Sequence, residues 1–206
     1  MMAVKLASIF FTMILVDNYV LVKFLGICPF LGVSKKLDSA VGMSLAVTFV
    51  MVLATAATWP IQTFLLTPEG SEGTSRDMGY LQTIVFILII AILVQLLENF
   101  LKKFIPALYK SLGVYLPLIT TNCTILGVTI LNIDNGYNFI ESVVCAAGAG
   151  LGFLLAMVLF SGVRRRVEEA VTPKCFEGLP ITLVSAAITS LSFMGFGGIV
   201  ESIFHV

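Results

Sequence analysis

The sequence predicts an all-α polytopic membrane protein: six transmembrane helices forming two inverted three-helix repeats, with helices one and four broken near the midplane. Three observations lead there. The 206 residues are 58% hydrophobic and only 12% charged, whereas soluble domains carry about a quarter charged residues. The apolar residues fall into six runs of bilayer length. A cysteine-led phrase also occurs twice, as CPFLGVS at 28–34 and CTILGVT at 123–129. The formal net charge of zero argues against nucleic acid or another polyanion as a partner and leaves membrane lipid as the expected surroundings.

A hydrocarbon core of ~30 Å takes about 20 apolar residues per helix. Runs of that length cover residues 3–34, 40–66, 80–101, 105–133, 138–163 and 178–204. The first follows Lys5 without a small-residue cleavage site and so reads as a span, not a leader. Little is left for a soluble domain, and the chain reads as a single membrane domain over 1–206. Basic residues orient the spans. Lys35 and Lys36 follow span one, Lys102, Lys103 and Lys110 follow span three, and Arg164, Arg165, Arg166 and Lys174 follow span five. These are nine of the twelve basic residues, all on alternate connections. The opposite side carries Lys5 and Arg76, Lys23 lies inside a span, and the opposite loops are otherwise acidic or neutral, with Glu69, Glu72, Asp77 and Asp134. Both termini are therefore expected outside and the basic loops in the cytoplasm.

A phrase shared by spans one and four divides the chain into repeats of roughly 1–103 and 104–206. Three spans is an odd number, so the second repeat must run upside down relative to the first, an arrangement that builds sites near the midplane. GMSLAVTFVMVL (42–53) also resembles GAGLGFLLAMVL (148–159), in the same order. Spans one and four are each too long for one straight crossing and carry breakers beside their cysteines: Gly26 and Pro29, then Gly113 and Pro117. Proline removes a backbone donor and collides with the preceding turn. If helical, Cys28 lies roughly 10 Å from the cytoplasmic edge and Cys123 roughly 14 Å from it, so the thiols meet at nearly one depth.

Two readings of these thiols stand side by side. Cysteine is a small, readily buried hydrophobe, and Gly32 and Gly127 then serve helix contact; a disulfide is also open in geometry. The sharper reading is metal ligation. An iron–sulfur cluster takes four thiolates, and the chain offers two at matched places, so a homodimer or a related partner must bring the rest. Cys145 and Cys175 have no counterparts. His205 is the only histidine, which excludes a buried bis-histidine haem, and no CxxC or usual zinc spacing occurs. GAGLG (148–152) lies within a span without a preceding strand, so Gly148 and Gly152 read as packing residues and not as a nucleotide loop. This chain alone offers no site for flavin, haem or NAD.

VLVKFLGICPFLGVSKK (20–36), LPLITTNCTILGV (116–128) and SLSFMGFGG (190–198) resemble the A subunits of Rnf complexes, the ion-translocating ferredoxin:NAD oxidoreductases. They are also similar to the homologous E subunits of sodium-pumping NADH:quinone reductases. The resemblance covers nearly the whole chain; EGSEGTSRDMG (69–79) is its least characteristic part. It implies a subunit of a bacterial or archaeal cytoplasmic-membrane translocase, paired with an oppositely oriented Rnf E-type subunit. Each would give two cysteines, here Cys28 and Cys123, to an intramembrane [2Fe–2S] cluster. That cluster would relay electrons from cytoplasmic subunits toward an outward-facing flavin subunit. Other Rnf subunits would carry the flavins and further clusters, and no catalytic residue is expected here. The alternative is an inverted-repeat secondary transporter without a redox centre.

Ionisable residues inside spans are functional candidates by default. Asp17 and Lys23 interrupt span one; six apart on a helix, they would not share a face, though a break or a partner chain would let them pair. Glu98 is either an i,i+4 partner of Lys102 or a cation access point. Glu141 and Glu201 read as interfacial. Thr120, Thr121 and Asn122 precede Cys123 and are candidates to satisfy broken backbone, to bond cluster sulfurs or to line an ion path.

Overall fold

The computed structural model describes residues 2–34, 37–63, 79–104, 118–119, 121–170, 173 and 177–204. Within them the chain is all-helical. Seven helices follow in order: α1 (Met2–Leu15), α2 (Ile27–Val33), α3 (Leu37–Ile61), α4 (Gly79–Phe104), α5 (Cys123–Asp134), α6 (Phe139–Glu168) and α7 (Leu179–Phe204). A short helix carrying a cysteine in its first turn, followed by two long helices, thus occurs twice: α2–α3–α4 and α5–α6–α7.

The core is the seam between α3 and α6. Each helix buries one stripe at helical spacing: Ala40, Met43, Val47, Val50 and Ala54 on α3, and Ala146, Ala149, Phe153, Ala156 and Phe160 on α6. They run antiparallel. Thr48 lies against Gly150, and Trp59 donates its indole N–H to the Tyr137 carbonyl at 3.1 Å while meeting the Phe139 ring edge-on. A Cβ at Gly150 would stand 2.5 Å from Thr48 Cγ2, so only glycine lets these backbones approach so closely.

The opposite faces stay apolar. Phe49, Ile84, Leu88, Ile92, Leu96 and Ile188 are each more than half exposed, an outside that suits lipid and not water. Helices α3 and α6 are long and apolar enough to cross a membrane.

Residues 2–34 do not form one helix. α1 ends at Leu15 and α2 begins at Ile27, with turns and irregular backbone between. The whole stretch runs parallel to α6. Lys5 pairs with Glu141 at 2.7 Å, Phe10 and Met13 lie on Gly148, Met13 and Asn18 on Gly152, and Arg164 reaches the end of α2. Gly148 and Gly152 therefore hold α1 close to α6, as packing residues do.

Asn18 organises the irregular segment. It is fully buried; its amide donates to the carbonyls of Gly152 at 2.8 Å and Ile14 at 3.3 Å, and its oxygen accepts from the N–H groups of Val20 and Leu21. Ser190 on α7 donates its hydroxyl to the Leu21 carbonyl. Backbone leaving a helix in an apolar interior must find such partners.

One sequence expectation is met here and one changes. Asp17 and Lys23 do pair, at 3.8 Å, with the ammonium 4.9 Å from the Tyr19 ring centroid, because the backbone between them is not helical. Arg164 is not a solvated loop residue. It is buried on α6, donates to Ser34 Oγ at 2.8 Å and to the Leu31 carbonyl, and pairs with Glu168 at 3.1 Å. A cation there satisfies the C-terminal end of α2.

Candidate metal centre

The two cysteine phrases meet in space. Cys28 stands in the first turn of α2, and Cys123 is the first residue of α5. The Gly26 N–H donates to Cys123 Sγ at 2.9 Å, so the backbone two residues before one thiol directly holds the other. Each phrase's glycine also faces a leucine ahead of the other cysteine. A Cβ at Gly127 would lie 2.6 Å from Leu25 Cδ1, and one at Gly32 would lie 3.8 Å from Leu118 Cδ2.

The local backbone is shaped for this contact. Gly26 has φ +82°, and a Cβ on it would stand 2.2 Å from Thr124 Oγ1, 3.1 Å from Asn122 Oδ1 and 3.2 Å from Phe153 Cε2. That left-handed conformation and that closeness both demand glycine. Asn122 caps α5 by accepting the Thr124 N–H at 3.0 Å. Phe30 of α2 stacks on Phe160 of α6, centroids 4.1 Å apart, and Arg164 pins the far end of α2.

Depth along the fold follows from α6. From Glu141 to Arg164 that helix measures ~35 Å, and Phe153, which touches Gly26, stands ~18 Å from one end and ~16 Å from the other. The paired phrases lie half-way along a helix of bilayer length.

Both thiols are exposed, whereas Cys145 is fully buried and lies ~12 Å along α6 from Phe153. Among the described residues no cluster of three or more His, Cys, Asp or Glu side chains is placed to hold a metal ion. The donor set is two thiols open to the outside of the chain and one backbone N–H aimed at sulfur. It fits half of a four-thiolate cluster, and the exposure fits a site completed across an interface.

The other sequence candidates divide. Asn122 is buried beside the thiols, Thr121 is exposed just ahead of it, and Asp17 and Lys23 form the ion pair of the irregular segment. Thr120, Cys175, the breakers Gly113 and Pro117 and the Glu98 side chain lie outside the described residues. Sequence reasoning missed Asn18, Thr124, Ser190 and the burial of Arg164. Asn18 stood one residue from Asp17 as a polar break in an apolar run, and that was its only signal.

Fold and site together define a helical membrane protein that presents two thiols half-way along its central helices. The sequence matches the Rnf-Nqr family of membrane-protein subunits over residues 6–200, and the chain belongs to that family. It is 55% identical over 193 residues (94% of this chain, 97% of the relative) to the A subunit of the Na(+)-translocating ferredoxin:NAD(+) oxidoreductase complex of Acetobacterium woodii. It is 52% identical over 187 residues (91% and 93%) to the A subunit of the ion-translocating oxidoreductase complex of Syntrophotalea carbinolica. The protein of the same name from Serratia proteamaculans is 53% identical over 188 residues (91% and 94%).

Proposed function

We propose that this chain is the A-type membrane component of an ion-translocating oxidoreductase complex and gives Cys28 and Cys123 to an intramembrane [2Fe–2S] cluster. The observation that carries the reading is the Gly26–Cys123 contact, which holds the two phrases together half-way along α6 with both thiols exposed. Two further thiolates come from a homologous partner of opposite orientation, the Rnf E-type subunit. When bound, the cluster supplies a one-electron carrier that divides a ~30 Å crossing into two shorter steps. This chain's residues position the sulfurs. Asn122 starts α5 at Cys123, Gly26 holds Cys123 Sγ, and Arg164 fixes the end of α2 behind Cys28.

The recurring order α2–α3–α4 and α5–α6–α7 supports two three-helix repeats. The gathering of Arg164, Arg165 and Arg166 at one end of α6, with Glu141 at the other, supports spans with the termini outside and the Arg164–Arg166 end in the cytoplasm of a bacterial or archaeal cell. Flavin- and cluster-bearing subunits complete the electron path on either side, and a chain acting alone as a transporter leaves the paired thiols without a role.

The purified complex tests this. Iron, acid-labile sulfide and an electron paramagnetic resonance signal that disappears in Cys28→Ser and Cys123→Ser, and persists in Cys145→Ser and Cys175→Ser, are the expected result. An intact signal and intact electron transfer in Cys28→Ser would overturn it.

A further inference from the structure

We infer that Gly26 is a positioning residue whose backbone N–H sets the reduction potential of the centre by hydrogen-bonding Cys123 Sγ; the inference rests on the cluster reading above. Three observations carry it. The N–H to Sγ distance is 2.9 Å, short for a sulfur acceptor. The conformation that aims the N–H is left-handed, φ +82°. The space beside it is filled, because any Cβ would collide with Thr124 Oγ1 and press on Asn122 Oδ1 and Phe153.

Thr124 and Asn122 are themselves buried, and Thr124 Oγ1 and Asn122 Nδ2 find no hydrogen-bond partner among the described residues. Polar atoms are left unpaired in an apolar interior at a cost, and here they crowd the glycine that touches the sulfur. A donor to a ligating sulfur withdraws charge from it and stabilises the reduced, more negative state, which raises the potential.

The contact also gives the two thiols different surroundings. Cys123 receives an amide from the other phrase, while no such donor to Cys28 Sγ is found among the described residues. Within this chain the described amide donor therefore stands on the α5 sulfur.

Gly26→Ala tests this in the assembled complex by redox titration followed by electron paramagnetic resonance. The expected result is a retained cluster with a more negative midpoint potential than wild type. Gly26→Ala combined with Thr124→Ala, which removes the colliding oxygen, moves the potential back toward that of Thr124→Ala alone. A retained cluster with unchanged potential in Gly26→Ala overturns the inference while leaving the cluster reading intact.

A second measurement stands even where Gly26→Ala fails to assemble. In wild-type complex labelled with [15N]glycine, pulsed resonance of the signal that depends on Cys28 shows a coupled glycine nitrogen. Its absence overturns the inference. A signal that persists unchanged in Cys28→Ser and Cys123→Ser overturns the cluster reading instead.

Discussion

Replacing Asn18 by alanine removes the side chain that holds the chain between α1 and α2. Four hydrogen bonds go at once: two donated, to Gly152 and Ile14 carbonyls, and two accepted, from Val20 and Leu21 N–H groups. The site is fully buried, so water does not replace them. The Gly152 carbonyl stands inside α6 and keeps its helical N–H partner, so it is discounted, whereas the Ile14 carbonyl in the last turn of α1 has no such partner. Leaving the other three groups unpaired costs about 1–3 kcal/mol each, and a total of about 3–9 kcal/mol follows. For a chain of this size each kcal/mol lowers Tm by about 2–4 °C. The assay is thermal loss of the monodisperse complex in detergent, measured by size exclusion after heating. The expected shift is about 6 °C or more. Asn18→Asp keeps the two accepted bonds but sets an oxygen against the Gly152 carbonyl, and is expected to be no better than alanine. A Tm within about 2 °C of wild type for Asn18→Ala would refute the reasoning, because it would mean that the irregular segment does not depend on this side chain.

Arg164→Met strips the charged donor from Ser34 and the Leu31 carbonyl; at about 1.5–3 kcal/mol for a bond to a charged group, the same heating assay should show a loss comparable to Asn18→Ala. Arg164→Lys restores one donor and falls between. Gly150→Ala forces a methyl against Thr48 and should cost about 1–3 kcal/mol. Gly162→Ala on the same helix meets nothing within 4 Å among the described residues and should be neutral or stabilising by up to about 1 kcal/mol; equal behaviour of these two variants would refute the close α3–α6 seam.

Much of this was legible in the residues. The apolar runs, the place of the glycines in GAGLG and the pairing of CPFLGVS with CTILGVT all follow from composition and spacing, which act locally. Asp17 and Lys23 were harder. Their six-residue separation forbids a pair on a helix, and only the loss of helix between Leu15 and Ile27 brings them to 3.8 Å. Arg164 looked like one of three equivalent arginines. Its neighbours Arg165 and Arg166 are exposed while it is buried, a difference of helical phase that becomes visible only when α2 is packed against α6.

The sequence by itself determined that the chain is a helical membrane protein with two matched thiols, because apolar content, helix length and repetition are properties of the chain read in order. Tertiary structure alone decided that Gly26 touches Cys123, that Asn18 supports the break and that Arg164 closes α2. Those contacts join residues 97, 134 and 133 positions apart. A hydrogen bond between such distant residues depends on how whole helices pack, and no local pattern encodes it.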